Sequence, residues 1–214
     1  MRVRLPLAFI LALMALAVCA AQQPAPSSTS SSASANARRD NDKMQQALLA
    51  ISARANTPVV KGKPAPPPLR TTFTDAQLNA WLLGDGADNV PTGLVSPTVT
   101  FAGPSKVTAK AVVDLDAVRK SKQRGMLDPM NLLSGLVPIA LTGTLSGAGG
   151  KGTFDVESAS LGTWPLPRGI LQELIAYYSK SPEYPDGITL GKPFPLPSAV
   201  QSLSIVKGAA TVVQ

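Results

Sequence analysis

The clearest pattern along this chain is an alternation of apolar and polar positions on either side of a glycine cluster. The apolar side chains are Val137, Ile139, Leu141, Leu145, Phe154 and Val156. A period of two is typical of a strand with one buried face. The cluster between Gly147 and Gly152 is where the chain reverses. The pattern therefore predicts an antiparallel hairpin whose two strands share one apolar face.

A helix is predicted directly after this hairpin, over residues 168–179. Its apolar side chains recur at helical spacing, at Ile170, Leu171, Leu174, Ile175 and Tyr178. Pro167 stands where a proline is tolerated in the first turn. This stripe either completes the core or leaves beside the sheet a gap that accepts an acyl chain. In the second case each methylene leaving water contributes about 0.8 kcal/mol.

Further elements follow from the same two periods. Thr74 and Gln77 form a capping box before an apolar helical face, and residues 107–115 give the most regular strand alternation. Short strands are predicted at Ile188 and near the end of the chain. Three prolines argue against regular structure in the connection between them, at Pro193, Pro195 and Pro197. Strands with an interposed helix predict an α+β domain over residues 70–214.

The part of the chain before this domain has three further segments. Residues 22–35 are mostly Gln, Pro, Ala, Ser and Thr and predict a disordered tether, and residues 57–69 contain five prolines and predict an extended linker. Between them, residues 36–56 carry an apolar helical face of Met44, Ala47, Leu48, Ile51 and Ala55. This amphipathic helix either packs on the flank of the domain or serves as a membrane-surface or partner helix.

The first residues predict export. Arg2 and Arg4 precede an apolar run over residues 5–18, which is too short to span a bilayer and is followed by small residues. Residues 1–21 are therefore interpreted as a signal peptide that directs the chain to the periplasm or outside the cell. The alternative is lipidation at Cys19, which would leave a membrane-anchored lipoprotein.

Composition excludes several classes of chemistry. The chain has no histidine and a single cysteine, which removes Ser-His-Asp and Cys-His catalysis and histidine-ligated zinc. The net charge of +7 favours anionic envelope partners, and no basic-aromatic motif indicates nucleic acid. One loop concentrates cations at Arg119, Lys120, Lys122 and Arg124. It is either an ordinary solvated loop or a contact to anionic lipid head groups at the membrane surface.

Other candidate sites have simpler explanations. Asp114 with Asp116, and Asp155 with Glu157, are carboxylate pairs suited to glycoside hydrolysis, but each pair lies opposite the apolar face of its strand. Gly150-Lys151 lacks the spacing of a phosphate-binding loop. We therefore predict no catalytic residue, no metal site and no cofactor, and we keep a carboxylate hydrolase only as a minor alternative.

Three stretches resemble small exported bacterial proteins of the tubular lipid-binding (TULIP-like) superfamily. They are the capped helix at residues 73–82, the strand end at residues 113–116, and residues 152–167 with the helix that follows. The resemblance covers residues 70–214. It implies a long curved antiparallel β-sheet wrapped around the C-terminal helix, preceded here by an N-terminal helix and a Pro-rich linker, and an apolar groove without catalytic residues.

The sequence thus predicts an exported, non-catalytic protein that binds a lipid or other apolar envelope molecule in a groove between sheet and helix. The predicted groove and core residues are Leu141, Leu145, Phe154, Val156, Ile170, Leu171, Leu174 and Ile175. The competing interpretation is an envelope structural or interaction protein with the same fold and a filled core. The sequence names neither the ligand nor a protein partner.

Overall fold

The computed structural model of the chain describes residues 29–57, 67–117, 135–180 and 184–214. The predicted signal peptide with Cys19 lies outside these residues. So do most of the tether, most of the Pro-rich linker, and the cationic cluster Arg119, Lys120, Lys122 and Arg124.

The described residues form an α+β fold with one large antiparallel sheet, which confirms the predicted class. The strands are β1 (Arg70–Thr74), β2 (Leu94–Gly103), β3 (Lys106–Asp114), β4 (Leu136–Ala148), β5 (Lys151–Leu161), β6 (Trp164–Pro165), β7 (Pro193–Pro195), β8 (Ser202–Val206) and β9 (Ala209–Val213). The main order is β1-β9-β8-β4-β3-β2, and β5 pairs with β4, β6 and β7. The α-helices are α1 (Thr29–Ala55), α2 (Asp75–Leu83) and α3 (Arg168–Tyr178).

The glycine cluster of the predicted hairpin has two separate tasks. Gly149 and Gly150 have φ values of 57° and 74° and form the two-residue turn between Ala148 and Lys151, a geometry that glycine adopts without steric cost. Gly147 and Gly152 instead lie within the strands. A Cβ at either position would come within 2.8 Å of Leu196. The missing side chains therefore let the connection before β8 pack directly on the hairpin.

The strand register places the large apolar side chains on one face of the sheet. The most buried of them include Phe73, Phe101, Leu141, Phe154 and Val212. They belong to one core cluster with residues of α1, α2 and α3 and of the segment before β8. The opposite face carries short hydroxyl side chains, such as the paired Thr108 and Thr142. The one-sided strands predicted from the alternation are thus packed as one layer against helices.

Helix α1 is longer and more integrated than the sequence suggests. It begins at Thr29, within the segment predicted as a disordered tether, because Ser and Ala extend an established helix at small cost. Its apolar face is buried in the common core at Met44, Leu48 and Ile51. The indole N–H of Trp81 on α2 donates to Gln45 Oε1 at 2.8 Å. The helix packs on the domain, as the first of its two interpretations expects.

Helix α2 fastens the edge of β2. The predicted capping box is confirmed, since the side chains of Thr74 and Gln77 each bond the other's backbone N–H. Four residues into the helix, Asn79 Oδ1 accepts from Val99 N at 2.6 Å and Asn79 Nδ2 donates to Val99 O at 2.8 Å. A side-chain amide therefore takes the place of a neighbouring strand, which is one way to protect an exposed edge.

Two further local expectations are wrong. The short strand predicted at Ile188 does not form, because the backbone of residues 187–190 bonds the side chains of Gln172 and Ser179 on and next to α3. The proline-rich connection before β8 was expected to lack regular structure, yet Pro193–Pro195 form β7 on the edge of β5. Proline is tolerated on an edge strand because its missing N–H would point to solvent. The residue between the two prolines, Phe194, lies opposite Gly152 and fills the space above it.

Candidate apolar binding site

Helix α3 divides the predicted apolar stripe into a buried and an exposed row. Leu171 and Ile175 are buried at 3% and 9% exposure and join the core. Ile170 and Leu174 are 51% and 39% exposed. An isolated exposed apolar residue is ordinary, but a row of them on one helix face marks a surface able to contact apolar material.

The other predicted lining residues lie on the sheet. Leu141, Leu145 and Phe154 are almost fully buried, and Val156 is partly buried against the same cluster. The structure therefore brings these four together with Leu171 and Ile175 in one core, and it leaves Ile170 and Leu174 at the surface.

The apolar face of the sheet is not covered evenly. Register pairs align four side chains across four neighbouring strands, namely Ala111, Ile139, Leu161 and Trp164. Along this row exposure rises from 1% at Ala111, through partly buried Ile139 and Leu161, to 77% at Trp164. The covered core thus passes into an exposed apolar surface within a single row.

A second pair of side chains extends this surface along the strands. Val113 and Val137 lie opposite each other at the far end of β3 and β4, and both are only half buried. We call the combined surface of Val113, Val137, Ile139, Leu161 and Trp164 the open end of the sheet. Helix α3 begins just after it in the chain, so the exposed row of the helix and the open end are joined by a short connection.

Polar side chains attach α3 to its own following segment. Gln172 Nε2 donates to Ile188 O at 3.1 Å, and Gln172 Oε1 accepts from Leu190 N at 2.7 Å. Ser179 Oγ donates to Ile175 O and accepts from Ile188 N, both at 2.6 Å. These bonds satisfy buried backbone groups that would otherwise cost free energy. The helix and the segment of residues 187–190 are therefore coupled closely.

The carboxylate pairs are engaged in structural contacts. Asp155 forms an ion pair with Arg168 at 2.8 Å, and Glu157 forms one with Lys106 at 2.7 Å. On the other pair, Asp114 accepts from Ala117 N and Asp116 accepts from Gly135 N, each at 2.9 Å. Each of the four carboxylates thus has a defined contact outside the apolar face.

Sequence reasoning missed Trp164, the most exposed residue of the open end. The sequence patterns were used to predict only the end of the returning strand here, whereas Leu161-Gly162-Thr163-Trp164 forms a hairpin with Gly162 at a φ of 62°. An apolar residue on each side of a glycine-containing two-residue turn is a recognisable hairpin signal. Gln172 was also missed. Nothing in its sequence context shows that its amide meets a segment sixteen residues later.

Within the described residues there is no group of three or more Asp, Glu, Cys or His side chains placed to hold a metal ion. The helices of the described ranges also include none with both the length and the apolar character that a bilayer crossing requires. A scan against known protein families, a search of curated proteins and a search of solved structures each find no match to this chain.

Proposed function

We propose that this chain is an exported, non-catalytic protein that binds a lipid or another apolar molecule of the cell envelope between its sheet and helix α3. The observation that carries the proposal is the open end, where the apolar face continues from the buried core to Trp164 at 77% exposure. The resemblance of residues 70–214 to TULIP-like proteins supports the same function. In that family a curved sheet around the C-terminal helix would supply the groove.

An acyl chain matches the chemistry of this surface. Its methylenes would cover Ile139, Leu161 and the ring of Trp164, at about 0.8 kcal/mol for each methylene removed from water. The indole of tryptophan also suits a boundary between an apolar chain and water, because its N–H keeps a polar partner there. Binding of this kind needs no nucleophile or general base.

The remaining parts of the proposal concern the whole chain. Residues 1–21 would direct export to the periplasm or beyond, or Cys19 would anchor the chain through a lipid. The cations Arg119, Lys120, Lys122 and Arg124 would contact anionic head groups, each contributing about 1 kcal/mol near a charged surface. Both statements rest on the sequence.

Intrinsic fluorescence tests the binding site directly, because the chain has two tryptophans with opposite exposure. Trp81 is 4% exposed and Trp164 is 77% exposed. In a Trp81→Phe variant, Trp164 is the sole reporter, and we expect a saturable blue shift of its emission on titration with a long-chain fatty acid below its micelle concentration. The Trp164→Phe variant is the matched control and should show no such shift.

The alternative is an envelope structural or interaction protein with a filled core. It is favoured by the burial of Leu171 and Ile175 in one continuous cluster with the sheet. Native mass spectrometry of protein purified from membranes and then mixed with fatty acid separates the two functions. Absence of bound lipid in both samples, together with an unchanged Trp164 spectrum, would eliminate lipid binding and leave the alternative.

A further inference from the structure

Helix α3 and the segment that follows it are joined to each other by several hydrogen bonds, and both also contribute buried side chains to the common core. The amide of Gln172 and the hydroxyl of Ser179 bond the backbone at Ile188 and Leu190. Gly187 packs so closely that a Cβ there would lie 1.9 Å from Ala176 O. We call α3 together with residues 187–190 the flap. Separating its two parts would leave several buried polar groups unpaired.

Both ends of the flap are attached to the same strand edge. Leu166 N, just before α3, donates to Ala159 O at 2.9 Å, and Gly191 N, just after the flap, donates to Phe154 O at 2.8 Å. Ala159 and Phe154 both belong to β5, on the edge that faces away from β4. Two attachment points on one edge define an axis about which the flap can rotate. Gly191, with a φ of 73°, supplies a flexible residue at one of them.

Polar contacts also reach from the flap region to the strands beyond this axis. Arg168 Nη2 contacts Asp155 Oδ1 at 2.8 Å, with side chains 60% and 52% exposed. Asp155 pairs with Thr144 on the polar face of the sheet, so the arginine reaches around the strand edge. The hydroxyl of Tyr184 donates to Pro195 O. The ion pair is exposed to water and is therefore weak and sensitive to salt.

We infer that the flap is the moving element of the binding site and that the Arg168–Asp155 pair braces it in the closed position. Rotation about the edge of β5 would lift Leu171, Ile175, Ile188 and Leu190 out of the core cluster that they share with Phe154, and would open a path for the ligand. The inference rests on the proposed function, because it names the route by which the apolar molecule enters. The motion itself can be measured without any ligand.

Hydrogen exchange of the full chain in the absence of lipid tests the motion. We expect Asp155→Asn and Arg168→Gln each to accelerate exchange across α3 and residues 187–190 by about two- to fivefold, the range that an exposed ion pair supports. Asparagine retains the acceptor for Val156 N, so the strand itself is preserved. Lys106→Gln is the matched control because it breaks another ion pair to β5, with comparable exposure. It should leave the flap unchanged.

The flap proposal is overturned if the amide hydrogens of α3 and of residues 187–190 exchange independently. It is also overturned if the two brace variants, Asp155→Asn and Arg168→Gln, exchange no faster across the flap than Lys106→Gln. Stopped-flow mixing with a fluorescent long-chain fatty acid then tests the link to function. Faster association in the brace variants, at an unchanged rate in Lys106→Gln, supports entry through the flap, and equal rates overturn it. If no variant binds the probe, the proposed function fails, while the exchange data still decide whether the flap moves.

Discussion

At the residue scale, Gly187 is the described glycine at which an added Cβ would meet its nearest neighbour at the shortest distance. Its φ is 74°, and an added Cβ would lie 1.9 Å from Ala176 O, which is backbone and cannot rotate away. We expect Gly187→Ala to lower the unfolding free energy by about 3 kcal/mol, because α3 must shift in addition to the strained dihedral. Urea denaturation followed by circular dichroism measures the loss.

Gly208→Ala separates the two causes. Gly208 has a similar φ of 78° but no heavy atom within 4 Å of the added Cβ. Only the dihedral cost remains there, about 1 kcal/mol. Equal losses of unfolding free energy in Gly187→Ala and Gly208→Ala would show that the structure accommodates the added Cβ beside Ala176 at no extra cost. The Pro185-Asp186-Gly187 sequence is typical of a turn but does not indicate this close approach, since the clash depends on how α3 docks.

At the element scale, two side chains attach α2 to the backbone of β2: the amide of Asn79 and the carboxylate of Asp75, which accepts from Phe101 N at 3.4 Å. Asn79 bonds both the N–H and the carbonyl of Val99, at 2.6 and 2.8 Å. Asn79→Ala would leave two backbone groups on the strand edge without these bonds. We expect a loss of about 2 kcal/mol in unfolding free energy and a new tendency to self-associate through the free edge. Urea denaturation and size-exclusion chromatography with light scattering measure the two effects.

Gln46→Ala controls for the removal of an amide from a helix, because Gln46 is exposed on α1. It should stay within about 0.5 kcal/mol of the parent and remain in the same oligomeric state. If Asn79→Ala behaves like this control, the amide contributes nothing to edge protection, and α2 is held by Asp75 and by apolar packing of residues such as Leu78 and Trp81.

Local signals explain which elements the sequence predicts well. Alternation defines β3, β4 and β5, and a capping box marks the start of α2, because these patterns depend on neighbouring residues. Strand β1 has a single large apolar residue, Phe73, and exists through its pairing with β9 at the other end of the chain. Strand β7 likewise depends on β5. Pairing over such sequence distances leaves no local periodic signal.

The same limit applies to the site. The stripe on α3 was visible as helical spacing. Six of the eight predicted groove and core residues, two on the helix and four on the sheet, do share one core. Which row of the helix is buried depends on the segment at Ile188 and Leu190, which Gln172 holds against it. Ile170 and Leu174 could therefore be identified as apolar helix positions, but their exposure could not be read from spacing alone.

At the scale of the whole molecule, α1 belongs to the same core as the sheet although a Pro-rich linker separates them in sequence. Met44, Leu48 and Ile51 are 2–4% exposed. The guanidinium of Arg54 donates to Pro67 O at 2.7 Å, and Gln214 Nε2 donates to Ile51 O at 2.9 Å. The helix is thus bound to both ends of the sheet-forming chain. The helix should therefore unfold together with the domain and not as a separate segment.

Adjacent leucines on α1 provide the test. Leu48 is 4% exposed and Leu49 is 45% exposed. Leu48→Ala should lower the unfolding free energy by about 3 kcal/mol through lost burial and the resulting cavity, and Leu49→Ala should change it by about 0.5 kcal/mol or less. Both remove the same atoms from the same helix, so helix propensity cancels in the comparison. With Leu48→Ala in the Trp164→Phe background, where Trp81 is the sole tryptophan, thermal unfolding followed by circular dichroism and by fluorescence should shift to one common lower midpoint. A lower midpoint in the circular dichroism signal, with an unchanged midpoint in Trp81 fluorescence, would instead show that α1 unfolds independently. Helix α1 would then not belong to the core that supports the binding site.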